Sequence, residues 1–154
     1  MALSPFKIMA GFREMKDVVD NLNSIESDAL TTIVNNKNFD YQHLLLSLMR
    51  LSKKEKKNII AKTLSLAITR NVLMWQQIVD LAHHYPNDIG VLAPLYMNCL
   101  TLEPGEAMYI PTGTIHAYTK GICIELMGCS ENVLFTGQSL LLESGSYEAS
   151  GMGC

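Results

Sequence analysis

The sequence predicts an α+β chain in which a helical segment feeds a partial β-roll. Two observations carry that reading. Up to about residue 85, apolar residues recur at intervals of three and four, the period of a helix with one buried face. From Pro86 onward, turn sequences recur every eight or nine residues: Glu103-Pro104-Gly105-Glu106, Pro111-Thr112-Gly113-Thr114 and Thr119-Lys120-Gly121. Short strands separated by such turns point to a sandwich or small barrel.

The helices follow from local signals. Glu14 to Leu22 reads as a short helix, and Asn35 to Asn38 as a loop. Tyr41 to Leu51 carries Leu44, Leu45, Leu48 and Leu51 on one side. Ser52-Lys53-Lys54-Glu55 fits a capping box, in which the serine oxygen takes a backbone N–H and the glutamate reaches back to the cap. The stripe Ile59, Ile60, Thr63, Leu64 and Ala67 then continues that helix. Met74 to His83 forms a further helix that stops before Pro86, because proline cannot continue it. His83 and His84 complement the carbonyl-rich end of that helix, and adjacent residues on a helix do not face one metal.

The strands are read as Tyr96–Leu102, Ala107–Ile110, Ile115–Tyr118 and Ile122–Met127, with Met74, Met97, Met108 and Met127 as core filler. Four or five strands are few for a closed barrel, and open edges need cover. Ser139 to Cys154 is rich in serine and glycine, has no pattern after Leu142, and is expected to be a loose tail. The chain therefore divides into a lead-in (1–13), a helical domain (14–85), a partial β-roll (86–138) and a divergent tail (139–154).

Composition narrows the function. The chain has 154 residues, 48% hydrophobic and 18% charged, with a net charge of −3. That fits a globular domain and gives no basic footprint for nucleic acid. The run Lys53 to Lys57, broken by Glu55, reads as a solvated helix face. No apolar run reaches the ~18 residues of a membrane span. The N-terminus, with an early Pro5 and no basic leader, makes a poor signal peptide. Cys99, Cys123, Cys129 and Cys154 form no C-x-x-C and read as reduced thiols of a cytoplasmic protein.

One stretch carries candidate chemistry, Ile115 to Gly128. His116 and Tyr118 lie two apart and share a strand face, as do Cys123 and Glu125. A hairpin turning at Lys120-Gly121 would bring the pairs together. Imidazole and carboxylate suit zinc or a similar ion, but two ligands fall short of the three a catalytic zinc takes from protein. On spacing alone, a strand histidine satisfied by its surroundings competes with the metal reading.

The run from Tyr85 to Leu134 resembles type I mannose-6-phosphate isomerase, also called phosphomannose isomerase. The resemblance rests on Asp88-Ile89-Gly90, Asn98 to Leu102, Pro104 to Ala107, His116 to Tyr118, Gly121, Cys123 to Met127 and Ser130 to Asn132. It extends more weakly through the helices to Ala2. It implies a cupin-type β-sandwich (an RmlC-like jelly roll) with a helical domain inserted, and a zinc ion held by a glutamine, two histidines and a glutamate. It implies interconversion of mannose 6-phosphate and fructose 6-phosphate through an enediol, the step that leads toward GDP-mannose, with the metal stabilising the developing charge. By the same resemblance, His116 is a zinc ligand, and Tyr118 and Glu125 line the substrate cavity.

The departures are as definite. Three of the implied zinc ligands have no counterpart from residue 1 on. Phe135 stands where the family has a catalytic arginine, and an apolar ring cannot supply its charge or forked donors. The lysine-bearing segment expected next is replaced by Gln138 to Cys154. The expectation is therefore an isomerase-family chain cut at both ends and inactive alone, with no catalytic residue retained. The alternatives are a non-catalytic chain that associates with a full-length isomerase, and a small cupin binding metal or sugar through His116, Glu125 and Cys123.

Overall fold

The structure, a computed structural model, describes residues 1–126. The strand end at Met127, Cys129, Phe135, Cys154 and the tail 139–154 lie outside the described residues. The elements in order are β1 (Phe6–Phe12), α1 (Met15–Asn23), α2 (Asp28–Val34), α3 (Tyr41–Arg50), α4 (Lys53–Ala67), α5 (Leu73–His84), a 3-10 turn (Ile89–Leu92), α6 (Ala93–Tyr96), β2 (Met97–Leu102) and β3 (His116–Lys120). The strands form one antiparallel sheet in the order β2-β1-β3. This is the α+β arrangement the two sequence periods predict.

β1 sits at the centre of the sheet, although the sequence reading treats residues 1–13 only as a lead-in. Its period of two works on both faces. Phe6, Ile8 and Ala10 are buried on one side in a small cluster with Leu102, Ile110, Tyr118 and Cys123. Met9 points the other way and joins the main core with Val18, Leu22, Leu44, Ile59, Trp75, Ile78 and Leu95. A strand covered on both faces loses the simple apolar-polar alternation that marks a half-exposed one. Lys7, on the helix side, reaches Asp80 of α5 at 3.0 Å. Both groups are partly solvated, so this pair orients more than it stabilises.

The helices match their signals. Ser52 and Glu55 make the full capping box: the Glu55 backbone N–H donates to the Ser52 hydroxyl, and the Ser52 backbone N–H donates to the Glu55 carboxylate. The Ser52 hydroxyl also donates to that carboxylate and holds it below its ordinary pKa. His84 Nδ1 lies 2.9 Å from the Asp80 carbonyl, the helix-end role expected of it. α2 is an addition. Its Leu30, Ile33 and Val34 are buried, but Thr31, Thr32, Ile33 and Val34 are poor helix formers. Tertiary burial holds it helical, so propensity does not reveal it.

Three expectations for the second half are corrected. Strand structure begins at Met97, because residues 89–96 are helical turns. Asp88 caps them by accepting from the Gly90 N–H at 2.7 Å, and Pro94 sits at the start of α6, where a missing N–H costs nothing. Ala107–Ile110 is outside every strand, having no neighbour to pair with among the described residues. Ile122–Leu126 does not pair with β3. Its backbone bonds run to the N-terminus instead: Leu3 N–H to Ile122 O and Ile124 N–H to Met1 O, each 2.8 Å, around an Ala2–Cys123 bridge. Met74 and Met97 are core residues as expected, whereas Met108 is 39% exposed.

Sheet and helices lock through polar contacts at the end of β1. The Tyr41 hydroxyl donates to the Arg13 carbonyl at 2.7 Å, and its ring stacks on Phe12 with centroids 4.3 Å apart. Asn98 donates to the Phe12 carbonyl, Asn21 to Leu95 and Arg13 Nε to Pro94. Inside the helical core, Gln77 is 1% exposed, and neither its amide nitrogen nor its oxygen has a hydrogen-bond partner. A buried unpaired amide is costly, so Gln77→Leu is expected to raise the stability by about 1 kcal/mol. Urea denaturation followed by the fluorescence of Trp75 checks this; a loss of stability would contradict it.

Candidate active-site groove

The face of the sheet opposite the helices forms one wall of a groove of about 690 Å³. Its floor is Phe6 and Ile8 of β1, its sides the 107–114 segment and Ile124 to Leu126. Antiparallel register fixes the functional side chains here. Tyr118 is opposite Ile8, and His116 is opposite Ala10. Both therefore project on the face that Phe6, Ile8 and Ala10 share. Gly113, with φ +82°, turns the chain into β3 where a side chain would be strained.

His116 is exposed at the groove wall, and its Nδ1 lies 2.9 Å from the Thr114 carbonyl. A carbonyl only accepts, so this contact requires a proton on Nδ1, and in the neutral ring Nε2 is then the nitrogen with the lone pair. That is the usual orientation of a metal-binding imidazole, one nitrogen anchored to a carbonyl and the other open. The Tyr118 ring packs 5.3 Å from Phe6 and 5.6 Å from His116. Its hydroxyl donates to Glu125 Oε1 at 2.7 Å. The structure thus brings His116, Tyr118 and Glu125 into one groove, although the hairpin expected to do so is replaced by pairing with residues 1–4.

Cys123 also lines the groove, as a free and half-buried thiol. Burial, with the nearby Glu125 carboxylate, pushes its pKa up against the opposing pull of the Met1 ammonium. Cys99 is likewise free, with burial raising its pKa beside Arg13. Among the described residues no group of three or more His, Cys, Asp and Glu side chains could hold a metal. The zinc implied by the resemblance thus finds one well-prepared donor, His116, and the described residues do not by themselves make its site. The same finding removes the rebuilt His116–Glu125–Cys123 centre. Nor does any lysine or arginine side chain line the groove among these residues.

With this geometry in hand, the comparisons with known proteins are specific. The chain is 34% identical over 139 residues to mannose-6-phosphate isomerase of Salmonella typhimurium, a match covering 88% of this chain and 36% of that protein. It is also 34% identical over 158 residues to the Homo sapiens mannose-6-phosphate isomerase, covering 89% and 37%. A crystal structure of a lysine-to-alanine mutant of phosphomannose isomerase from Salmonella typhimurium superposes with a TM-score of 0.77 at 32% identity, over 89% of this chain and 37% of that one.

The chain is homologous to part of mannose-6-phosphate isomerase. It spans a little over a third of the length of the relatives it matches. Another Salmonella typhimurium mannose 6-phosphate isomerase structure, described as bound to substrate fructose 6-phosphate and zinc, matches with a TM-score of 0.67 at 30% identity. Protein-family models give no match. The likeness to the isomerase structures carries the cupin-type reading of the sheet.

Proposed function

We propose that this chain is the part of a mannose-6-phosphate isomerase that joins the helical domain to one wall of the catalytic groove. The supporting observation is the grouping of His116, Tyr118 and Glu125 on one sheet face in a chain that superposes on isomerase structures over most of its length. In this reading the whole protein interconverts mannose 6-phosphate and fructose 6-phosphate in the cytoplasm. Among the described residues no helix is long and apolar enough to cross a membrane.

Each residue then has a role. His116 offers Nε2 to a zinc ion whose other ligands come from beyond residues 1–126. When bound, that ion would polarise the sugar oxygens. Glu125, oriented by the Tyr118 hydroxyl, faces the sugar hydroxyls. The substrate phosphate, a dianion, would be met by cationic groups outside the described residues. The site needs those further groups, so residues 1–126 are not expected to catalyse the reaction by themselves.

Zinc content and coupled isomerase turnover of the purified chain test this. The expected result is zinc well below one per chain and turnover at background for both mannose 6-phosphate and fructose 6-phosphate. Stoichiometric zinc with turnover abolished by His116→Ala would contradict the claim that the site needs groups beyond these residues. Recovery of turnover on mixing with the missing part of an isomerase would support it.

A further inference from the structure

β1 carries one residue more than its partner β2 at the end that faces His116. The register runs from Met9 opposite Cys99 to Phe12 opposite Met97. Ala10 and Gly11 therefore stand together opposite Asn98, a β-bulge with Gly11 in the left-handed region at φ +67°. On its other side the bulge meets the start of β3. His116 is opposite Ala10, and the Gly11 N–H donates to the Ile115 carbonyl at 2.8 Å. The extra residue thus sits against the backbone that carries the imidazole, and a bulge in that place re-aims a side chain.

A bulge disrupts the ladder locally, and here a side chain bridges the gap. The half-buried Asn98 amide donates to the Phe12 carbonyl at 2.9 Å. It also lies over Gly11: a Cβ built on that residue would be 3.7 Å from Asn98 Nδ2 and 3.9 Å from Thr114 Cγ2. Gly11 is packed between the Asn98 amide and Thr114, whose carbonyl anchors His116 Nδ1. An apolar side chain of the same shape at position 98 would leave the Phe12 carbonyl without this donor and favour opening of the bulge.

We propose that Asn98 is a positioning residue for His116. It clamps the bulge of β1, and the bulge fixes the Thr114 carbonyl against Nδ1, so that Nε2 is the nitrogen left for a ligand. Asn98 is not among the described residues that line the groove, so it acts through the backbone. The use of His116 as a zinc ligand rests on the isomerase reading; the clamp itself does not.

Two readings of the full 154-residue chain test this, and neither is turnover. One is the NMR spectrum of the His116 ring nitrogens in the neutral ring. The other is hydrogen exchange at the Gly11 amide relative to the Ile78 amide of the core. In Asn98→Leu the Nδ1–H form should fall from the major to the minor tautomer, and Gly11 exchange should speed by about tenfold relative to Ile78. Leu22→Ala is the control for lost stability: it should speed both amides together and leave the ring spectrum unchanged. Added zinc should meet Nε2 alone in the parent chain and both nitrogens in Asn98→Leu.

An unchanged ring spectrum in Asn98→Leu would overturn the proposal. So would an equal change in Leu22→Ala, because Asn98 would then matter only through stability. The unaltered chain gives a test that needs no variant: the Asn98 side-chain amide should be protected from exchange, and exchange at the solvent rate would also overturn the proposal. A ring that changes tautomer as expected but ignores zinc in both chains would leave the clamp standing and count against the isomerase reading.

Discussion

Gly121→Ala is expected to destabilise the protein by on the order of 3–4 kcal/mol, enough to unfold much of a domain of ordinary stability. Gly121 follows β3 with φ +111°, a conformation open to glycine and strained for other residues. A Cβ placed there would lie 2.5 Å from the Pro5 carbonyl oxygen and 2.9 Å from the Phe6 Cα. Both are backbone atoms of the segment entering the central strand, so relief requires β1 and β3 to separate. Gly113→Ala is the control. It also has positive φ, but nothing lies within 4 Å of its added Cβ, so it should cost only about 1 kcal/mol of backbone strain. Urea denaturation of the two variants checks the difference, and equal costs would show that the close approach of Gly121 to β1 is not what matters.

Leu22→Ala is the second large effect, at about 2–5 kcal/mol. Leu22 is fully buried, one turn beyond Val18 on the inner face of α1, in the main core that also takes in residues of α2 and α6. Removing three heavy atoms leaves a cavity that rigid neighbours on two sides cannot close. The loss should appear in the helical unfolding transition. Tyr118 and Glu125, on the far face of the sheet, should keep their hydrogen bond in the folded fraction. A cost under about 1 kcal/mol would mean that the helices around α1 can collapse onto the gap.

The parts of the fold written in local chemistry were legible in the sequence. The Ser52–Glu55 capping box and the stripe at Ile59, Ile60, Thr63 and Ala67 define α4 without reference to anything distant. What was hidden depends on neighbours far along the chain. β1 is central because β2 and β3 arrive on either side of it, and nothing within Phe6–Phe12 announces them. α2 is helical because it is packed. The 122–126 segment looked like the second arm of a hairpin, since Lys120-Gly121 is a sound turn signal. Residues 1–4, which lead into β1, take that pairing instead.

The site divides in the same way. His116 and Tyr118 on one face follow from strand geometry, and their approach to Glu125 was expected. The route to that approach was wrong, because Glu125 is brought in by pairing with Met1–Ser4. The anchoring of His116 by Thr114 has a local cause, the turn at Gly113, and the sequence signal for it is the Pro111-Thr112-Gly113-Thr114 punctuation itself.

Titrating zinc into the chain while observing the ring nitrogens of His116 by NMR tests the central claim most directly, that His116 is one prepared ligand of a site completed from elsewhere. The account predicts a shift at Nε2 alone, with Nδ1 still protonated toward Thr114, an affinity no tighter than about micromolar, and loss of the response in His116→Ala. Nanomolar, stoichiometric binding, or coordination through Nδ1, would contradict it.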